Sequence, residues 1–399
     1  MSPSMHLTVV SPFPPAITGI GQYGYHITKA IEESGLFSRI TVLAGSKTRN
    51  GVSSTFKQAQ IDYCWQPDQL QARSIILSRL KRLKPDLVWF NLGASVFGKS
   101  PLANVSGLFT PMRTRQLGIP TVVTLHELIE QADLQALNAP GGFLAPLGAR
   151  LLTDLATQAD HVCLTMHHYV EWLSARGIQC SHIPIGSYQD SEKLKETGKN
   201  SLLFFTTLAP FKGLELLLQA FQELKAEFPS LSLTIAGAEH ARFPHYAHVL
   251  QKQCAGVRDV HWLGQVSEEK VGNLFEQATL VVLPYTASTG SSSVLYQSAT
   301  WGRAIVASNL KEHLYIANEN EMQINFFENG NVESLKTSIR SLLNSQELRS
   351  RQINHNFHII QKLTPHETCR HYIHAFNRAL ERSQSKKRIL LAPENMEIS

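Results

Sequence analysis

Residues 280–308 read LVVLPYTASTGSSSVLYQSATWGRAIVAS, and the order of chemistry within them decides the fold. Leu280–Leu283 is an unbroken apolar run of strand length, and Ala304–Ala307 is a second one. Between them lie a loop of small and hydroxylated residues, Thr286–Ser293, and a helix-like stretch, Val294–Trp301. Strand, Gly/Ser turn, helix and strand make a βαβ unit. The first N–H groups of a helix have no internal partner and carry partial positive charge, so the turn before Val294 suits an anion. Thr289, Gly290, Ser291, Ser292 and Ser293 add hydroxyls there and permit close approach of backbone to ligand. The same letters also read as an ordinary Ser-rich turn.

Residues 202–221, LLFFTTLAPFKGLELLLQAF, repeat the arrangement. Leu202–Thr206 is strand-like, and Leu214, Leu217, Leu218 and Phe221 recur at helical spacing. Lys212-Gly213 falls at the expected helix start, where an ammonium adds point charge to an anion already favoured by backbone N–H groups. A lone Lys in a turn is more often simply solvated. Both turns, however, follow strands of one β/α series, and open parallel sheets bind ligands outside the C-terminal ends of their strands.

The same alternation extends through the N-terminal half. Strands are expected at Leu7–Val10, Ile40–Leu43, Leu87–Phe90, Thr121–Leu125 and His161–Thr165, with helices at Tyr23–Glu33, Leu70–Leu83 and Ala145–Gln158. The helix before Pro85 ends there because the residue preceding a proline leaves helical space. A polar, turn-rich stretch within 184–200 reads as a linker. The reading is α/β, with two doubly wound parallel-sheet domains facing a cleft: residues 1–186, a linker over 187–200, a second domain over 201–366, and a basic tail over 384–399.

With 399 residues, 43% hydrophobic and 17% charged, the chain is globular and long enough for two cores. Its net charge of +5 gathers at Arg79, Lys81, Arg82 and Lys84 and again at Arg382, Lys386, Lys387 and Arg388. No aromatic residues are interleaved with them, which argues against a nucleic-acid partner. The clusters suit nucleotide phosphates or peripheral contact with an anionic membrane, and equally suit solvated helix faces. Five scattered cysteines, without a CxxC pair, fit a reducing compartment and no zinc site. The first residues lack the pattern of a secretory signal and no apolar run reaches a membrane span, so a cytoplasmic location is expected, peripheral to the inner membrane face at most.

Three further features invite chemistry. Gly19-Ile20-Gly21-Gln22-Tyr23-Gly24 is a literal GxGxxG and raises a nicotinamide reading. Against it, Pro12–Thr18 separates the glycines from their strand, and the second strand ends in Leu43-Ala44-Gly45 with no acid for a ribose. His126 ends the strand Thr121–Leu125, at the edge where ligands bind, although a lone His is commonly structural. Glu239, ending the strand Leu233–Ala236, suits either a ribose contact or a helix cap, with the cap slightly favoured.

Taken in order, HLTVVSPFPPAITGIGQYGYHITKAI at 6–31, VVTLHEL at 122–128, Phe204–Gly213, IAGAE at 235–239, HWLGQV at 261–266 and Leu280–Ser308 resemble the GT-B retaining glycosyltransferases of family 4, over roughly residues 6–380. The resemblance implies two Rossmann-like domains in a GT-B fold, with a last helix near 367–383 packing back on the N-terminal domain. It implies a metal-independent, hexosyltransferase-like enzyme that moves a sugar from a nucleotide-sugar, with retention, to a hydroxyl acceptor such as a glycan, a lipid-linked saccharide or a small molecule. No cofactor is implied, because the nucleotide-sugar is a substrate. It places Gly19 and Gly21 in a loop near the donor, His126 near the transferred sugar and Lys212 on the phosphates. The family usually carries two glutamates separated by seven residues in the donor loop, and an arginine five residues before the lysine. This chain has Thr289, Gln297 and Thr207 at those positions. A glutamine amide still pairs with ribose hydroxyls, because it both donates and accepts. The neutral positions also keep open a sugar-nucleotide-binding protein without transfer activity.

Overall fold

The computed structural model describes residues 5–15, 18–45, 56–137, 142–195 and 198–383. Seven strands form one sheet: β1 (His6–Pro12), β2 (Arg39–Gly45), β3 (Gln60–Trp65), β4 (Leu87–Leu92), β5 (Thr121–Leu125), β6 (His161–Leu164) and β7 (Cys180–His182), in the spatial order β3-β2-β1-β4-β5-β6-β7. Six form another: β8 (Ser201–Phe205), β9 (Ser232–Ala236), β10 (Val260–Gly264), β11 (Leu280–Leu283), β12 (Ala304–Ser308) and β13 (Asn325–Phe327), in the order β10-β9-β8-β11-β12-β13. Among the described residues every named pairing is parallel.

Parallel strands need helical crossovers, which cover both faces of the sheet, so central strands carry continuous apolar runs. β1, β4, β5, β11 and β12 are buried at every position, and these are the runs visible in the sequence. The edge strands β3, β7 and β10 are only partly buried and carry no such run. In both sheets the strand order reverses beside the first strand, between β1 and β4 and between β8 and β11. Such a switch point opens a crevice at the strand C-termini, because the adjoining crossovers leave in opposite directions.

The chain divides into two compact units: Met1–Gln131 with Ala139–Tyr188 and Pro365–Ser399, and Ala132–Asn138 with Gln189–Thr364. The helix Pro365–Arg382 packs on the first sheet through buried polar contacts. Tyr372 Oη lies 2.9 Å from Tyr23 Oη and 2.8 Å from Thr124 Oγ1, which also accepts from Trp89 Nε1 at 2.9 Å. The expected linker is fastened to the second unit at its N-terminal end. The fully buried Arg303 donates to the carbonyls of Leu194 at 2.9 Å, Lys195 at 3.0 Å and Phe275 at 2.5 Å. Carbonyl dipoles thus solvate a guanidinium that burial would otherwise penalise. The basic tail at 384–399, with Lys386, Lys387 and Arg388, lies outside the described residues. Among the described residues no helix is long and apolar enough to cross a membrane.

Candidate functional site

The β8–β11 switch point brings the two turns singled out by sequence into one place. β8 ends at Phe205, and a single 3-10 turn, Pro210–Lys212, precedes the helix Leu214–Leu224. Gly213 joins them at φ +68, and a Cβ there would overlap the carbonyl oxygen of Pro284. Only glycine meets both demands. The carbonyl of Phe211 accepts from Thr286 N at 3.0 Å and Ala287 N at 3.3 Å, so the lysine turn and the loop after β11 are bound to each other. Lys212 Nζ stands 3.7 Å from the centre of the Tyr285 ring.

The loop ends at Ser292, the N-cap of the helix Ser293–Thr300, whose side chain makes no capping bond. Six of the eight residues of this helix are buried, whereas Ser293 and Gln297, one turn apart, are partly exposed on one stripe. A helix whose first N–H groups lack a side-chain cap and whose one accessible stripe is polar suits a phosphate at its end and a hydroxylated group along its side. Thr289 and Ser291 are partly exposed, whereas Gly290 and Ser292 are buried. Ser291 Oγ and Tyr285 Oη are buried, the first beside the Tyr296 side chain and the second beside those of Thr206 and Ser292. Thr207, two residues beyond the end of β8, is exposed. Among the described residues no group of three His, Cys, Asp or Glu side chains has a metal-ligating arrangement.

Glu239 goes to the other of its two expected roles. Its carboxylate accepts from His245 N and Ala247 N, each at 3.0 Å, and so caps the helix Tyr246–Gln253. Each oxygen thereby accepts one backbone N–H and keeps a further lone pair.

At the β1–β4 switch point, Gly19 and Gly21 lie in a helix and not in a loop. They form the first turn of the helix Gly19–Glu33, four residues longer at its start than the apolar spacing indicates. Thr18 caps that helix, its hydroxyl accepting from Gly21 N at 3.0 Å, so this N–H is already satisfied. The position that needs glycine for close packing is Gly24, where a Cβ would press into Ser11 and Asn91.

His126 lies just past β5 and is 8% exposed. Its Nε2 is 2.6 Å from Asn91 Oδ1. Asn91 Nδ2 donates to the carbonyl of Ile20 at 2.8 Å and to Ser11 Oγ at 2.9 Å. A carbonyl only accepts, which fixes the amide orientation. Oδ1 therefore faces His126 and receives its Nε2–H, which leaves Nδ1 as the acceptor. Burial depresses the His126 pKa to about 3, so the ring is neutral. The ring of Tyr23 meets it edge-on at 4.7 Å. Sequence reasoning missed Asn91; its signal was a polar residue closing the apolar run LVWF.

Residues 18–184 match the family model described as "Glycosyl transferase 4-like domain", and residues 188–358 match "Glycosyl transferases group 1". A curated relative, the phosphatidyl-myo-inositol mannosyltransferase of Propionibacterium freudenreichii subsp. shermanii, is 26% identical over 142 residues; the match covers 35% of this chain and 34% of that protein, about a third of its length. The sucrose-phosphate synthase of Thermosynechococcus elongatus has a similar structure, with a TM-score of 0.71 at 13% identity, over 95% of this chain and 100% of that one. HepE of Anabaena, solved with UDP-glucose, gives 0.67 at 16% identity, over 92% and 98%. At these identities the structural likeness is one of fold.

Proposed function

We propose, for a chain that belongs to the GT-B fold glycosyltransferases of the 4-like and group 1 families, that it transfers a sugar from a nucleotide-sugar whose diphosphate sits at the β8–β11 switch point. The observation that carries this reading is the joining of the Lys212 turn to the 286–292 loop, through the Phe211 carbonyl, beside a helix start with no side-chain cap. Lys212 and the N–H groups at Ser293 take up the charge that develops on the departing nucleoside diphosphate, and preorganised donors of this kind usually contribute more to catalysis than any other single effect. Gln297 and Ser293 face the nucleoside side of the donor. HepE of Anabaena, of the same fold, was solved with UDP and with UDP-glucose, which supports a nucleotide-sugar as the ligand class.

In the reaction the bond from the anomeric carbon to the phosphate oxygen breaks. A bond from the acceptor hydroxyl forms on the same face, and the hydroxyl proton passes to the departing phosphate. Neutral His126 presents the Nδ1 lone pair to a sugar hydroxyl, while Asn91 holds the ring in that tautomer. Titrating UDP, GDP and ADP, then assaying the matching nucleotide sugars with saccharide and lipid acceptors, tests the reading. We expect one diphosphate to bind and its sugar to be turned over. Binding without turnover would favour the binding-only alternative, and no binding at all would defeat both.

A membrane-associated acceptor is part of this proposal. The mutually packed helices Ala72–Leu83, Pro101–Leu108, Thr110–Gln116 and Ala145–Ala156 carry seven Arg and Lys residues and a single acid, Asp154, which is bonded to Arg176. Phe143, in the 3-10 turn Gly142–Leu144 just before the last of these helices, is 91% exposed, Leu102 70% and Leu147 69%. Basic charge with exposed apolar side chains suits an anionic bilayer surface. We expect sedimentation with vesicles containing phosphatidylglycerol and release by high salt. Equal recovery with neutral and anionic vesicles would remove this part of the proposal.

A further inference from the structure

Tyr285 is assigned no role by anything above, yet its surroundings are organised around Lys212. The residue follows β11 and is 1% exposed. Its backbone carbonyl accepts from Ser308 Oγ at 2.6 Å. The ring packs against His313, with centres 5.3 Å apart. His313 is fully buried, and its Nδ1 lies 2.9 Å from the carbonyl of Ser308, so Nδ1 carries the proton. Burial, with the charge of Lys212 nearby, depresses the His313 pKa to about 4, so the ring is neutral and does not repel the ammonium. Lys212, Tyr285 and His313 are thus linked, with the ammonium over the phenol ring and the imidazole tilted at 52° to that ring, and Ser308 bonded to both aromatic residues.

Residues 284–287 hold the lysine at both ends. The Pro284 carbonyl fills the space a side chain at 213 would need, and the N–H groups of Thr286 and Ala287 bind the backbone of Phe211. Tyr285 meets the head group. A lysine has a flexible four-carbon stem, so a fixed backbone alone does not fix its charge. A cation on an aromatic face is worth roughly 0.5–1 kcal/mol when exposed and about 2 when desolvated, enough to select one position for the ammonium.

We propose that Tyr285 is a positioning residue for glycosyl transfer: its ring face sets where the Lys212 ammonium stands, and thereby how the donor diphosphate is held. The inference rests on the donor-site reading above. The ring is the agent here, since its face and not the hydroxyl meets the ammonium; the hydroxyl lies beside the side chains of Thr206 and Ser292.

The test uses the full chain, inorganic pyrophosphate and whichever nucleoside diphosphate binds, with Lys212→Ala, Tyr285→Phe and Tyr285→Leu. Tyr285→Leu should weaken diphosphate binding about 5- to 30-fold, the range of a partly to fully desolvated cation–π contact. Tyr285→Phe keeps the ring and should stay within about twofold. In wild type with 13C-dimethylated lysines, the Lys212 resonance, identified by its loss in Lys212→Arg, should be shifted upfield by the ring and should lose that shift in Tyr285→Leu. A merely structural role would not move this signal, and the wild-type spectrum is decisive even if Tyr285→Leu folds poorly. Weak binding by Lys212→Ala with normal binding by Tyr285→Leu would overturn the inference and leave the donor site standing. So would equal losses in the Phe and Leu variants, or a Lys212 resonance without the upfield shift. Normal binding by Lys212→Ala would instead overturn the donor-site reading itself.

Discussion

His126 shows how much of a functional residue is decided by its neighbours. The sequence places it at a strand end, but its protonation follows from burial and its tautomer from Asn91, 35 positions away. With its pKa depressed to about 3, the ring does not change charge between pH 5 and 8. Any acid limb of the rate profile near pH 6.5 must therefore arise elsewhere. His126→Ala should lower turnover by at least about tenfold while diphosphate affinity changes less than about threefold, because the ring is assigned to the transferred sugar and not to the phosphates. Asn91→Ala should reproduce much of the turnover loss by freeing the ring to choose the other tautomer. Steady-state rates with calorimetric titration check both, and equal losses in turnover and affinity would argue that His126 serves folding alone.

At the scale of elements, the turns are where sequence and structure agree most closely, since a turn's chemistry is local. Lys212-Gly213 and the 286–293 loop were legible as turns because Gly and Ser mark unusual backbone. Gly213→Ala should destabilise the second unit by about 3 kcal/mol or more, through positive φ and collision with the Pro284 carbonyl together, and should weaken diphosphate binding in whatever fraction folds. Glu239→Ala should cost about 1 kcal/mol as a lost cap and leave diphosphate binding unchanged, which separates capping from donor contact. Thermal melts with UDP, GDP and ADP titrations read both. What stayed illegible has a common cause. The helices Pro101–Leu108 and Thr110–Gln116 are short, and the edge strands β3, β7 and β10 are half-buried, so none carries a sustained apolar period. Helix Gly19–Glu33 begins earlier than expected because its cap, Thr18, outweighs the low helix propensity of two glycines. Arg303 and Tyr372 were invisible as structural anchors, since only tertiary contacts distinguish them from surface residues.

For the whole molecule, the buried histidines predict that its two units respond differently to acid. In the first unit burial depresses His126 to about 3, His161 to about 4 and His182 to about 4, and also lowers His6 and His371. In the second unit, His313 is the described histidine with a resolved depression, to about 4. A histidine whose folded pKa lies below its unfolded value of about 6.5 binds more protons when unfolded, so stability rises with pH across that interval. The contribution is complete above pH 6.5 and is lost as pH falls toward 4, at about 1.4 kcal/mol for each unit of depression. Glu32, lowered by backbone N–H groups from Lys57, Gln58 and Ala59 despite its desolvation, adds to the acid loss in the first unit. Asp160, raised by burial, works in the opposite sense there, as does Glu312 in the second unit. Histidines outnumber these carboxyls only in the first unit. Amide exchange, corrected for the intrinsic pH dependence and compared at pH 7 and pH 4.5, should show the strands β1, β4, β5 and β6 losing protection while β8, β11 and β12 keep most of theirs. Equal loss in the two sheets would mean that these histidines are not what limits the first unit in acid. A His161→Gln variant, neutral at every pH, should flatten the decline in β6 if they are.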